Sequence, residues 1–165
     1  PWTAGGIYTA SAAVDVGDEQ RLYVTGTIHS HGWYIDNNWQ LIEPLQRQMI
    51  DEGFSRIGFV SWPRDRLFGF RSDPQGLLEL ELGYQDRPCQ VLLNYQAERS
   101  GCIRAEVMGL DGYGVDDCVP LERDSLCSPL AWRESSIIAP MHGGSMRVRL
   151  HLDRATVYSY GLQRA

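Results

Sequence analysis

The stretch MRVRLHL, Met146 to Leu152, decides the fold class of this chain. Its Arg and His side chains alternate with apolar ones, which is the pattern of a β-strand with one buried face and one wet face. GLLELEL, Gly76 to Leu82, repeats the alternation with leucines on one face and glutamates among the residues on the other. Patterns with this period of two recur through most of the chain and predict an all-β protein of antiparallel sheets.

Further strands are predicted on both sides of these two segments by β-branched and aromatic residues at alternating positions. They cover Arg21–Ile28, Ser55–Ser61, Leu67–Arg71, Gln90–Tyr95, Cys102–Met108 and Thr156–Leu162. Turn-forming pairs such as Asp73–Pro74 and Asp111–Gly112 separate the strands. Many short strands of this kind predict an antiparallel β-sandwich of the jelly-roll or concanavalin-like type, with an N-terminal β-hairpin segment.

One short helix is predicted from Pro44 to Glu52, because proline suits the first helical position and Gly53 suits the position after the end. The helix lies in a polar, aromatic-containing insertion, Trp33 to Glu52, that separates the first strands from the rest. We therefore expect two parts, an N-terminal segment over residues 1–60 and a β-sandwich domain over residues 61–165.

Composition argues against several classes of function. The net charge of −6 and the lack of a basic run argue against a nucleic-acid partner. No apolar stretch approaches the length of a membrane span. All 15 cationic residues are Arg, which excludes Schiff-base chemistry on Lys, and the Gly-x-Ser-x-Gly pattern of serine hydrolases does not occur in the sequence.

Four cysteines, Cys89, Cys102, Cys118 and Cys127, allow three disulfide pairings. Cys118 and Cys127 are close enough in sequence to staple a loop, and Cys89 and Cys102 flank a predicted hairpin and can meet across it. Disulfides suit an exported protein, but buried free thiols explain the same count. A structural zinc site is disfavoured because no Cys-x-x-Cys pair occurs.

Five segments follow one another in an order and spacing that a known family shares. They are SWPRDRLFGF (Ser61–Phe70), LLELEL (Leu77–Leu82), VLLNYQAERSGCIRAEV (Val91–Val107), GYGVDDCVPLERDSL (Gly112–Leu126) and RVRLHLDRATVYSYGL (Arg147–Leu162). Together they resemble the C-terminal β-sandwich domain of five-bladed β-propeller proteins of the glycoside-hydrolase type, common among exported bacterial proteins. GGIYTASAAVDVGDEQRLYVTG, Gly5 to Gly26, resembles part of the last propeller blade.

The resemblance implies a function as well as a fold. In that family the catalytic carboxylates lie mainly on earlier blades, which this sequence does not contain. The resemblance thus implies that the chain is a non-catalytic ancillary module, or the C-terminal portion, of a secreted or periplasmic glycoside-hydrolase-like protein. Such a module packs against a propeller and binds a polysaccharide or oligosaccharide. The alternatives are a subunit of a split or cleaved glycosidase whose partner chain carries the catalytic carboxylates, and a purely structural oligomerisation module.

The candidate carbohydrate-binding residues lie between the first strands and the predicted helix. His29 and His31 point the same way in an extended chain, so both can bind one metal ion or one sugar hydroxyl. Trp33, Tyr34 and Trp39 follow, and aromatic rings stack on the apolar faces of sugars. The resemblance adds that inner blade ends line the glycan pocket. The alternatives are two solvent-facing histidines and aromatic side chains that anchor the insertion to the sandwich.

An acidic loop is the candidate cation site. Asp111, Asp116, Asp117 and Asp124 crowd one glycine-containing segment, and calcium takes several oxygen ligands from such loops. Ordinary turn and capping roles for aspartate are the alternative. Apart from this calcium possibility, no cofactor is expected.

The aromatic cluster generates a first prediction. In native affinity electrophoresis through a panel of plant, microbial and marine polysaccharides, we expect at least one polymer to retard the chain. Trp33→Ala and Trp39→Ala are expected to abolish the retardation, because each removes a stacking surface. Equal mobility in every gel would contradict a carbohydrate-binding role for these residues.

Overall fold

The computed structural model of the chain describes residues 5–27, 55–133, 135–141 and 144–164. These residues form nine β-strands in two antiparallel sheets and contain no helix, which confirms the predicted all-β, antiparallel fold class. The predicted helix, Pro44 to Glu52, lies outside the described residues. The chain divides into two compact units, residues 1–64 and residues 65–165.

The first unit contains one sheet, built around a central strand. Its strands are β1 (Gly6–Thr9), β2 (Val14–Val16), β3 (Glu19–Thr27) and β4 (Ser55–Pro63). β1 and β2 pair with successive parts of one edge of β3, and β4 pairs with the other edge over its full length. β2 and β3 are joined by a two-residue turn in which Gly17 has φ 62°, a left-handed conformation that favours glycine.

The second unit contains one five-stranded sheet that is strongly curled, which is consistent with the predicted sandwich. Its strands are β5 (Phe70–Arg71), β6 (Gln75–Gly83), β7 (Cys89–Val107), β8 (Asp124–Pro129) and β9 (Met146–Arg164). β5 and β6 pair with one edge of β9, β7 pairs with the other edge, and β8 pairs with β7. The predicted strand Leu67–Arg71 is shorter than expected and consists of β5 alone.

Two long strands replace four short predicted ones. β7 and β9 each have 19 residues and pair along most of their length. Their register shifts at two places: between Asn94 and Tyr95, and at the centre of the pair, where Ala97 faces Ala155 and Cys102 faces Asp153. Residues 98–101 of β7 therefore lie opposite Arg154 of β9, which has a positive φ of 44°. Such a bulge bends and twists a strand pair, so this interruption curls the sheet.

The central bulge also keeps one apolar face of β9 turned inward from Met146 to Val157. Met146, Val148, Leu150 and Leu152 are buried before the bulge, at even positions, whereas Ala155 and Val157 are buried after it, at odd positions. A slip of one residue exchanges the two faces of a strand. Because the slip occurs at the bend, both arms of β9 contribute to a single core.

Backbone contacts hold the bend together. The Arg154 amide donates to the Pro74 carbonyl, and the Arg154 guanidinium donates to the Ser100 carbonyl at 2.8 Å. The buried Ser72 hydroxyl bonds both the amide and the carbonyl of Ala155. Gly101 packs so closely here that a Cβ on it would lie 2.4 Å from the Asp153 carbonyl oxygen.

Arg66 fixes the segment that opens the second unit. Its side chain is only 8% exposed and bonds the Asn94 side chain at 2.7 Å, the Asp124 carboxylate and two backbone carbonyls. The guanidinium also lies 4.8 Å from the centre of the Tyr158 ring, within range of a cation–π contact. One Arg thus joins residues of β7, β8 and β9 to the start of the unit.

The cysteines are free thiols, so neither proposed disulfide forms. Cys89 and Cys118 are buried, as the alternative interpretation expects, and burial raises the pKa of both thiols. The Cys118 sulfur accepts a hydrogen bond from the Ala105 amide. Cys102 is half-buried and Cys127 is exposed.

The close approach at Gly101 generates the second prediction. Gly101→Ala places a methyl group against two backbone oxygens that cannot move without opening the bulge. We expect a loss of about 1–3 kcal/mol in the free energy of unfolding, measured by urea denaturation. Gly161→Ala is the matched control, because a Cβ on this β9 glycine meets no atom within 4 Å. Equal stability of the two variants would contradict the tight packing at the bend.

Candidate functional site

Three neighbouring strands of the second unit present an ordered grid of side chains on the outer face of the sheet. The register of β6, β9 and β7 places them in three rows with one residue from each strand. The rows are Gln75–Asp153–Cys102, Leu77–His151–Arg104 and Glu79–Arg149–Glu106. Alternate residues of the same strands point inward to the core, so the grid is the wet face that the period of two predicts.

Arg149 clamps two carboxylates in the third row. Its Nε and Nη2 donate to one oxygen of Glu79 at 2.9 and 2.7 Å, and its Nη1 donates to Glu106 Oε1 at 3.1 Å. The hydrogen bonds that Arg149 donates to Glu79 raise the pKa of Arg149 above its already high ordinary value. Because Arg149 lies on the central strand, this clamp crosslinks both outer strands to it.

Glu106 has a second partner in the neighbouring row. His151 Nε2 lies 3.1 Å from the same Glu106 oxygen that Arg149 contacts. The hydrogen bond from His151, and then the charge of Arg149, lower the pKa of Glu106, although burial acts in the opposite direction. Glu106 is therefore an ionised acceptor and a poor proton donor at neutral pH.

The first two rows line a cleft of about 490 Å³. This volume lies within the usual range for small-molecule sites. Leu77 provides an apolar surface that is 66% exposed, beside the polar side chains of Arg104 and His151. Arg104 donates to the Cys118 carbonyl at 2.8 Å, which fixes its guanidinium. The mixture of one apolar surface with several fixed polar groups suits the binding of a polar ligand.

The sheet of the first unit has a different character, because apolar side chains are exposed on both of its faces. The register places Tyr8, Val14, Val16, Tyr23, Ile57 and Phe59 on one face. All six are exposed, Ile57 by 80%. On the opposite face Ile7 and Val60 are exposed as well. An antiparallel sheet with one wet face has polar residues there, so this sheet has the composition of a layer covered on both sides.

The structure does not place the residues that the sequence singled out for carbohydrate binding. His29, His31, Trp33, Tyr34 and Trp39 all lie outside the described residues. Their role stays a prediction.

The acidic loop does not form a cluster. Asp117 accepts two hydrogen bonds from Arg133, at 3.1 and 3.0 Å, and Asp124 pairs with Arg66. Among the residues that the structure describes, no three His, Cys, Asp or Glu side chains are grouped to hold a metal ion. The described residues therefore do not support the calcium site predicted for this loop.

Comparison with protein-family models, curated proteins and solved structures finds no match. The resemblance to the β-sandwich of propeller-type glycoside hydrolases therefore stays a prediction. In the described parts of the chain, no helix has the length and hydrophobicity needed to cross a membrane.

The environment of Glu106 generates the third prediction. Folding lowers the pKa of the Glu106 carboxyl from its ordinary value of 4.5, so the ionised carboxylate stabilises the folded protein at pH values above 4.5. This stabilisation disappears as the pH falls through the folded-state pKa. Glu106→Gln is therefore expected to lower the free energy of unfolding at pH 7, with a difference from wild type that shrinks below pH 4.5.

Urea denaturation at a series of pH values measures this difference. Glu98→Gln is the control, because Glu98 forms an exposed ion pair with Arg71, and such pairs contribute little. A stability difference between Glu106→Gln and wild type that does not change with pH would contradict the linkage.

Proposed function

We propose that this chain is a non-catalytic module of a larger, all-β, glycan-active protein. In this proposal the sheet of the first unit is one layer in a stack of sheets, and the second unit is an ancillary β-sandwich that binds carbohydrate. The observation that carries the proposal is the exposure of apolar side chains on both faces of the first unit's sheet.

The size of the exposed surface supports a covering layer on each side. Burying one side chain such as Ile57 or Phe59 contributes about 1.5–3 kcal/mol, and one face alone carries six apolar side chains. Tyr23 and Phe59 already contact each other, with ring centres 6.0 Å apart, and form the middle of that face. A second twisted sheet packed about 10 Å away is the layer that fits such a surface, and neighbouring propeller blades are layers of this kind.

The outer-face cleft of the second unit supports the carbohydrate part of the proposal. Sugars present hydroxyl groups at the edge of a ring and C–H groups on its faces, and protein sites match them with fixed polar groups and apolar surfaces. The second row of the grid has this composition. The residues predicted from the sequence, Trp33, Tyr34 and Trp39, provide stacking surfaces in the same proposal.

The second candidate function is a subunit of a split or cleaved glycosidase. The exposed apolar faces favour it equally, because a separate chain can cover them as well as earlier segments of one chain can. The two functions differ in where the catalytic carboxylates reside. They are separated by isolating the protein from its native source and mapping its peptides by mass spectrometry.

That isolation has two informative results. A longer polypeptide that contains this sequence supports the module of a larger protein. An 18.7 kDa chain in stoichiometric association with a second chain that hydrolyses glycans supports the split enzyme. Isolation of the 18.7 kDa chain as a lone monomer contradicts both.

The exposed faces generate the fourth prediction. The chain by itself is expected to self-associate in light scattering and to bind the dye ANS, because its apolar layer is uncovered. The double variant Ile57→Thr/Phe59→Thr is expected to decrease both signals while the strand-forming character of β4 is kept. Leu67→Thr/Phe68→Thr is the matched control, because it removes two exposed apolar side chains outside this sheet.

A monodisperse wild-type monomer whose ANS signal equals that of the β4 double variant would overturn the proposal. If the control variant lowers light scattering and ANS binding as much as the β4 variant does, the result also counts against the proposal, because the signals then do not arise specifically from this sheet.

A further inference from the structure

We propose that the outer-face cleft of the second unit binds one ring of a neutral sugar. The proposal rests on the carbohydrate-binding function proposed above and assigns it a location. It is carried by the middle row of the grid, in which Leu77, His151 and Arg104 lie side by side across three strands.

The middle row offers complementary groups to a sugar. Leu77 supplies an exposed apolar surface for the C–H face of a ring. The Arg104 guanidinium supplies hydrogen-bond donors, and the His151 imidazole supplies a second polar group. Gln75 and Asp153, from the first row, line the same cleft and add further donors and acceptors at one end. Hydroxyl groups, which both donate and accept, match this alternation of donors and acceptors.

The polar groups of the cleft are held in place by residues outside it. Arg104 is fixed by the Cys118 carbonyl, His151 by Glu106, and the Asp153 carboxylate by the Arg154 guanidinium at 3.2 Å. Glu106 is itself fixed by Arg149. Side chains that are ordered before binding lose less conformational entropy when the ligand arrives. The cleft therefore has the preorganisation of a binding site.

The charges around the cleft favour a neutral ligand. Around the cleft, the three cations Arg104, Arg149 and Arg154 are matched in number by three carboxylates, those of Asp153, Glu79 and Glu106, and Asp153 pairs with Arg154. The charge of Arg149, in the next row, is already satisfied by two carboxylates. An anionic ligand such as a phosphate or a uronate meets no excess positive charge here, and a cation meets Arg104. An uncharged polyhydroxylated ring avoids both penalties.

Cys102 lies in the lining of the cleft and allows the proposal to be tested directly. Its half-buried thiol is free, and the free, exposed thiol of Cys127 serves as an internal control. The experiment measures the alkylation rates of both thiols with iodoacetamide by peptide mass spectrometry. The probes are hexasaccharides of the cello, xylo, manno and malto series at millimolar concentration, with oligogalacturonate as the charged comparison.

We expect at least one neutral hexasaccharide to slow the alkylation of Cys102 several-fold and to leave Cys127 unchanged. Leu77→Ala and Arg104→Ala are expected to abolish this protection. Arg104→Ala also removes a hydrogen bond to Cys118, whereas Leu77 is exposed, so the Leu77 variant keeps the test valid if the Arg104 variant unfolds. Arg71→Ala, which alters an exposed ion pair outside this cleft, is the matched control and should retain protection.

Absence of protection by every neutral hexasaccharide overturns the cleft site, and so does protection by oligogalacturonate alone. Protection that survives Leu77→Ala in the folded variant overturns it as well. The proposed function fails separately: retardation by a polysaccharide gel without protection of Cys102 removes the cleft site and leaves carbohydrate binding in place. If no polysaccharide retards the chain and no hexasaccharide protects Cys102, both the cleft site and the proposed carbohydrate binding fail.

Discussion

The bulge at which residues 98–101 of β7 lie opposite Arg154 of β9 is the constraint on which the second unit depends. A flat pair of 19-residue strands would have one long apolar face and nothing to cover it. The bulge bends the pair and shifts the inward positions of β9 by one residue, so the two arms share one core. Gly101 allows the backbones to approach at this point, and Ser72 and Arg154 supply the hydrogen bonds that hold them there.

The same bend places the candidate site. The first row of the grid, Gln75–Asp153–Cys102, is the last one before the bulge, so the cleft lies at the end of the regular pairing. The row farthest from the bend is closed by the Glu79–Arg149–Glu106 clamp, which leaves the two rows near the bend to line the open cleft. The clamp and the proposed binding cleft thus occupy successive rows of one sheet face, and the contact between Glu106 and His151 connects them.

The sequence predicted those features that depend on neighbours along the chain. The alternation in MRVRLHL and GLLELEL indicated β6 and β9 and their wet faces, because side-chain period is a local property. The continuity of β9 was missed because its alternation slips at Asp153–Arg154, which resembles the end of one strand and the start of another. Glu106 and His151 could not be paired from sequence, since register across strands depends on the bend. The sequence hints at this register only in that Glu79 and Arg149, which face each other across β6 and β9, carry opposite charges.

In the proposed function, the first unit's sheet is a layer covered by other sheets of a larger protein. Hydroxyl-radical footprinting of Tyr23 and Phe59 tests this claim most directly, because both rings are exposed in this chain and lie on the same face. We expect rapid oxidation of both rings in the isolated chain, diluted until light scattering shows a monomer, and strong protection in the protein purified from its native source. Equal oxidation of both rings in the two preparations would contradict it.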